Sequence, residues 1–273
     1  MKPKRYKDIE QVHRDHAERG ERARERLREF ARVPPTEYFY ELAYCLLTPQ
    51  SSAVNADTAV ARLKELSFFE RGGDPTPVLR QRDAYIRFHN TKARRLLTVR
   101  EQFPVIAARL AATPHGVPPT TPQGLSQEIP QAATLVTPEG TTRGTTRGTA
   151  SGTPQVMPLA MPSAAPTASP GSAPTEEVLA LRDWMIAHVN GLGRKEAAHF
   201  LRNIGYRGLA ILDRHILRNL TYHGVLRTMP TSLTPARYSI IEGLVRQFAA
   251  DTGIDMDELD LLFWSRETGE IRK

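Results

Sequence analysis

The sequence predicts an all-α protein interrupted by one long disordered insertion. Apolar residues recur at the three-to-four-residue spacing of amphipathic helices over most of the chain, and no stretch alternates apolar and polar residues clearly enough for a strand. Capping residues and proline or glycine breaks bound these periodic stretches. The 62 residues from Pro114 to Thr175 hold 12 of the 21 prolines and no Phe, Tyr or Trp. Such a segment cannot bury enough apolar surface to offset the entropy lost on ordering it.

The 273 residues suffice for one large domain or two lobes. Lys and Arg number 37 against 30 Asp and Glu, a net charge of +7. That balance favours polyanionic partners, nucleic acid first and a membrane surface second. Cys45 is the only cysteine, which excludes an intrachain disulfide, a cysteine-ligated iron–sulfur cluster and a multi-cysteine zinc site. No apolar run approaches the roughly 18 residues of a membrane span. The expectation is a cytoplasmic protein without cofactor or bound metal.

Taken in order, residues 1–35 hold a helix dense in alternating charge, ended by Pro34–Pro35, which reads as a solvated surface helix with a thin apolar stripe. Residues 36–113 form the first part of the core. Thr36 is the expected cap of a strongly apolar helix through Leu47. Thr48-Pro49-Gln50-Ser51-Ser52 breaks it, because proline disfavours helix at the residue before it. A second helix carries Val54, Ala56, Ala59, Val60, Leu63 and Leu66. A third begins near Pro77, is interrupted at 85–90, and resumes from Lys92 to Leu110. The insertion spans 114–175, with the tandem TTRGTTRGT at 141–149. From 176 to 273 order returns: Thr175 caps a helix with Val178, Leu181, Trp184, Met185 and Val189 inward. Ser232 or Thr234 caps another with Ile240, Ile241, Leu244, Val245 and Phe248 inward. Asp255 opens the last, through Trp264.

The informative stretch lies in 183–217. Asn190-Gly191-Leu192-Gly193 joins two helices, the glycines supplying backbone shapes other residues resist. Alone, it reads as an ordinary interhelical turn. Its amides and the following helix start can also point at a phosphate, a contact that reads no base. Arg194 and Lys195 then occupy the first helical turn, where the macrodipole is positive and a cation is unfavourable. An unfavourable local choice is where function is expected. The dipole, Arg194 and partial burial would lower the lysine pKa and free an amine nucleophile; the competing reading is a phosphate-binding lysine. Asp213 follows 18 residues after Lys195 at the start of another helix. By itself it is an N-cap, and a cap can also serve as an ionised, aimed carboxylate.

GLGRKEAAHFLRNIGYRGLAILDRH, together with LLTPQSS at 46–52, RFHNTKA at 87–93 and WSRETGEIRK at 264–273, resembles the helix–hairpin–helix DNA glycosylase superfamily, and within it the archaeal-type (second type) 8-oxoguanine DNA glycosylase/AP lyases. The resemblance covers nearly all of the chain except the insertion. It implies two helical lobes, one including both chain ends, with the helix–hairpin–helix (183–205) at the cleft. Lys195 matches the nucleophile that forms a Schiff base at the sugar, and Asp213 the carboxylate that assists it. Phe88 and Trp264 match the faces that stack on the flipped base, Lys273 the base-recognising terminal lysine, and Gln50 the residue that meets the orphaned base. Gly191, Gly193, Arg194, His199 and Arg202 are expected on the DNA side, with His199 and Arg202 facing phosphate or solvent; His215 reads as structural. The implied partner is duplex DNA containing 8-oxoguanine, bound by a monomer in a prokaryotic, archaeal cell. Two other readings stay open: a glycosylase for another base, of the endonuclease III kind, and a hairpin module that binds DNA without catalysis. A helical adaptor for other proteins would leave the basic charge unexplained.

Overall fold

The computed structural model describes residues 6–115 and 173–271. The expectation of disorder between 114 and 175 therefore falls, for 116–172, outside the described residues, as does Lys273. Eleven helices and two 3-10 turns make up the described chain, which contains no strand.

Helix α1 (Ile9–Ala31) is followed by a 3-10 turn at Pro35–Glu37, then α2 (Tyr38–Leu47), α3 (Ala53–Glu65), the single turns α4 (Phe68–Arg71) and α5 (Thr76–Leu79), and α6 (His89–Ala111). Thr36 does not cap α2. Pro35 starts a 3-10 turn and Thr36 lies inside it, so α2 begins at Tyr38 without a side-chain cap. Next come α7 (Glu176–His188), α8 (Arg194–Asn203), α9 (Arg214–Tyr222), α10 (Pro235–Thr252) and α11 (Met256–Thr268). Four expected caps form: Thr175, Asp213, Thr234 and Asp255 each accept backbone amides of the first turn.

Two apolar cores hold these helices. The larger joins α2, α3, α6, α7 and α8 through Phe39, Leu42, Leu46, Leu96, Leu181, Phe200 and Leu201. The second joins α9, α10 and α11 through Leu217, Leu220, Tyr238, Phe248, Leu259 and Phe263, and takes in Tyr6, Ile9 and Val12 from the start of the chain. Ile240, expected inward, is 65% exposed; Ile241, Val245 and Phe248 already fill the inner face of α10, and Ile240 projects to one side of it. Trp184 is half-buried and stacks on His188, one turn along.

The charged first helix is more than a solvated surface. Its stripe of Ala23, Leu27 and Phe30 packs on Leu261 of α11, and Glu258 of α11 receives His16 Nε2 at 2.8 Å and Arg24 at 3.2 Å. His115, inside the expected insertion, is also placed: its ring lies 4.4 Å from that of Tyr206 and bonds the Ile204 carbonyl.

Candidate active site

A cavity of about 210 Å³ opens between the two cores, with its wall drawn from four parts of the chain. Helix α8 supplies Lys195, His199 and Arg202; the α2–α3 turn supplies Thr48, Ser51 and Ala53 beneath Tyr44. The start of α9 gives Asp213 and His215, and α11 gives Asp260, Leu261 and Trp264.

The hairpin explains how α8 starts where it does. Leu192 is buried and its amide bonds the Val189 carbonyl at 3.1 Å. Gly191 turns the chain at φ +94°, a left-handed conformation that disfavours a side chain. Gly193 is the N-cap, extended at φ −89°. Lys195 thus sits in the first turn, half-buried, with Nζ 3.3 Å from Oε1 of Glu196. That carboxylate holds the ammonium against the unfavourable end of the dipole.

Asp213 is aimed by what precedes it. Leu209–Leu212 are buried and lie outside the helices, and the Asp213 amide turns back to the Ile211 carbonyl at 2.9 Å. The Ala210 amide donates to Glu242 Oε1 at 3.0 Å, which also takes Arg182 at 2.7 Å. The Tyr238 hydroxyl donates to the Ala210 carbonyl and accepts from the Leu212 amide. With this segment fixed to α10, Asp213 Oδ1 accepts the Ile216 amide at 2.8 Å and caps α9 while facing the cavity.

Sequence reasoning missed Asp260. Its carboxyl is pushed up to about 7, first by burial and then by the negative charges of Asp213 and Asp257; the Arg202 and Lys195 cations pull the other way. In sequence it is one acid among several in DELDLLF. The one signal available was position: Asp260 and Trp264 are a turn apart on α11 and so share a face. Arg202 is corrected with it. Expected toward phosphate or solvent, it is buried, its guanidinium 3.4 Å from Asp260 and stacked over Phe30 at 4.7 Å. It shares a face of α8 with Lys195 and His199 and lines the cavity beside α11. His199 likewise points into the cavity, edge-on to Tyr44. Arg194 is engaged too, 3.3 Å from Asp183 and over the Tyr238 ring, because the hairpin returns α8 alongside α7.

Trp264, Lys195 and Asp213 therefore line one cavity. Phe88 and Gln50 lie apart from the cavity wall. Both are exposed, and both hold left-handed backbone, at φ 59° and 57°. His215 lines the cavity and bonds Glu267 at 3.3 Å. Among the described residues no cluster of His, Cys, Asp and Glu could hold a metal ion, and no helix is long and apolar enough to cross a membrane.

Comparison with known proteins gives a consistent result. The model of the family described as 8-oxoguanine DNA glycosylase matches residues 23–117 and 167–254. A Fusobacterium nucleatum protein named 8-oxoguanine DNA glycosylase/AP lyase is 29% identical over 273 residues, covering 98% of this chain and 97% of that protein. A Korarchaeum cryptofilum protein of the same name is 48% identical over 93 residues, which span 34% of this chain and only 44% of that relative. The fold matches the crystal structure of Methanocaldococcus jannaschii 8-oxoguanine glycosylase/lyase in complex with a 15mer DNA containing 8-oxoguanine, with a TM-score of 0.67 at 20% identity over 97% of this chain and 99% of that one.

Proposed function

The chain belongs to the 8-oxoguanine DNA glycosylase family, and on that premise we propose that it excises 8-oxoguanine from duplex DNA and then cuts the strand, with Lys195 as nucleophile. The observation that carries this reading is the meeting of Lys195, Asp213 and Trp264 on one cavity wall, from three separate elements. An enzyme acting on a base inside a duplex must extrude it into such a pocket.

The lysine amine, once neutral, attacks C1′ of the lesion nucleotide and the base leaves with the electrons of the glycosidic bond. Asp213 stabilises the positive charge that develops on the sugar. The attached amine loses a proton and the ring opens to a Schiff base. Loss of a C2′ proton then expels the 3′ phosphate by β-elimination. Trp264 offers a face for the extruded base, and Phe88 and Lys273 complete its recognition. The hairpin amides around Gly191 and Gly193 hold one backbone phosphate without reading sequence. Gln50 meets the base left behind. We take it to act as a monomer in the cytoplasm; its archaeal and bacterial relatives support a prokaryotic cell.

Borohydride added during the reaction is expected to trap wild-type protein covalently on DNA carrying 8-oxoguanine. Lys195→Gln should give no adduct and no cleavage. Full cleavage by that variant would overturn the mechanism.

A further inference from the structure

Lys92 lies on α6, outside the cavity, and has no place in the reaction above. Its side chain is buried, with a relative exposure of 2%. Nζ reaches the Leu47 carbonyl at 2.6 Å, the Pro49 carbonyl at 2.7 Å and Ser51 Oγ at 3.2 Å. An ammonium has three hydrogens to place, and three acceptors receive them. Leu47 closes α2, where carbonyls lack helical partners and the dipole is negative.

The same serine extends the network. Ser51 Oγ accepts the Arg87 amide at 3.0 Å, and Asn55 Nδ2 donates to the Tyr85 carbonyl at 3.0 Å. Two turns far apart in sequence, 48–52 and 85–88, are thereby stitched together. At the apex of each stands an exposed residue other than glycine in left-handed backbone: Gln50 in one, Phe88 in the other. Strain of that kind persists only where the surroundings over-determine it. The Lys92 ammonium bonds the first turn directly and reaches the second through Ser51.

The arrangement is costly. Burial, with Arg95 and Arg87 nearby, depresses Lys92 to about 8. A methionine would fill the same space without a charge to desolvate. It would, however, leave the Leu47 and Pro49 carbonyls without this donor.

We propose that Lys92 is a positioning residue for base capture: its ammonium locks the Gln50 and Phe88 turns into one unit, so that the side chain meeting the orphaned base and the ring stacking on the flipped base advance together. The inference rests on the functional reading above, from which Gln50 and Phe88 take their roles. It joins into one device the two short motifs, LLTPQSS and RFHNTKA, from which the cavity wall takes only Thr48 and Ser51.

The test compares Lys92→Met and the milder Ser51→Ala with wild type, each first shown to be folded by its thermal transition. Single-turnover release of 8-oxoguanine should fall at least tenfold in Lys92→Met, while strand cleavage at a preformed abasic site, which has no base to grip, falls threefold or less. Ser51→Ala should shift in the same sense by a smaller factor. Adding Lys92→Met to Phe88→Ala should slow base release by less than a further twofold, because the lock acts through that ring. Equal losses on both substrates, or multiplicative losses in the double variant, would mark Lys92 as merely structural and overturn the proposal. If Lys92→Met does not fold, Asn55→Ala, which lies outside the cavity wall and removes the bond to the Tyr85 carbonyl, decides by the same ratio. A wild-type protein that released no 8-oxoguanine would remove the functional reading and this one together; an active wild type with an equally active Lys92→Met removes this one alone.

Discussion

At the scale of single residues, Asp260 controls what the cavity is like at neutral pH. Its carboxyl titrates at about 7, raised by burial beside Asp213 and Asp257, so a modest pH change alters the charge facing Lys195. Because the folded-state pKa lies above the unfolded one, the folded protein binds this proton more tightly. The associated stability is present below about pH 4 and is lost as pH rises through 7. Asp260→Asn, which cannot ionise, should therefore gain in melting temperature relative to wild type between pH 5 and pH 8; a constant difference would contradict the assignment. The excision rate of wild type should also carry an inflection near pH 7 that the variant lacks. The positions of Lys195 and Asp213 were legible in the sequence because each sits where a local rule speaks: a cation in a first helical turn, an acid at an N-cap. Asp260 breaks no such rule. Its character comes from Arg202, Asp213 and Lys195, brought to it by tertiary packing, and no window of sequence holds all four.

Among the elements, the hairpin makes the sharpest distinction, because its two glycines serve different ends. A Cβ on Gly191 would stand 2.5–2.7 Å from the Nε, Cδ and Cζ atoms of Arg95, on backbone at φ +94°. On Gly193, at an extended φ, it would meet only the Glu196 carboxylate, at 2.8 Å. Gly191→Ala is expected to cost about 1–3 kcal/mol in denaturant unfolding, the range for a side chain forced into left-handed backbone. Gly193→Ser should stay within about 0.5 kcal/mol, since serine caps helices at least as well as glycine. Similar costs at both positions would mean that the turn is not held by Gly191. The presence of this hairpin was readable from GLG between two apolar stripes. The starts of α2 and α6 were not: the first depends on a proline-led 3-10 turn, and the second on Phe88 accepting an unfavourable φ that the Ser51–Lys92 network supports.

For the molecule as a whole, the packing of α1 decides whether the start of the chain is an appendage or part of the fold. Its charge density suggested solvent, and alternating charge cannot reveal which of its side chains find partners 234 to 246 residues away. Arg266, in the WSRETGEIRK stretch, gathers them. Its guanidinium lies 3.1 Å from Asp15 of α1, 3.2 Å from Asn219 of α9 and 2.8 Å from Nε2 of His223. The other His223 nitrogen bonds the Lys7 carbonyl at 2.9 Å. A neutral imidazole satisfies both contacts, donating from Nδ1 and accepting at Nε2. Burial first, and Arg266 with it, holds His223 below the ordinary histidine range. A depressed pKa means that the unfolded chain binds the proton more readily, so this stability is full above about pH 6.5 and is lost as pH falls below it. It runs opposite to the Asp260 contribution. Arg266→Met would leave the buried Asp15 with Gln11 but no cation, and remove the imidazole's donor. Because the guanidinium is partly exposed, the loss should be about 1–3 kcal/mol, below the 3–5 of a fully buried pair. Hydrogen exchange then locates it: amides of α1 should exchange faster together with those around His223, while α2 and α3, in the other core, keep their protection. Acceleration spread evenly over all helices would show that Arg266 supports global stability and does not specifically tie the start of the chain to the helix bearing Trp264.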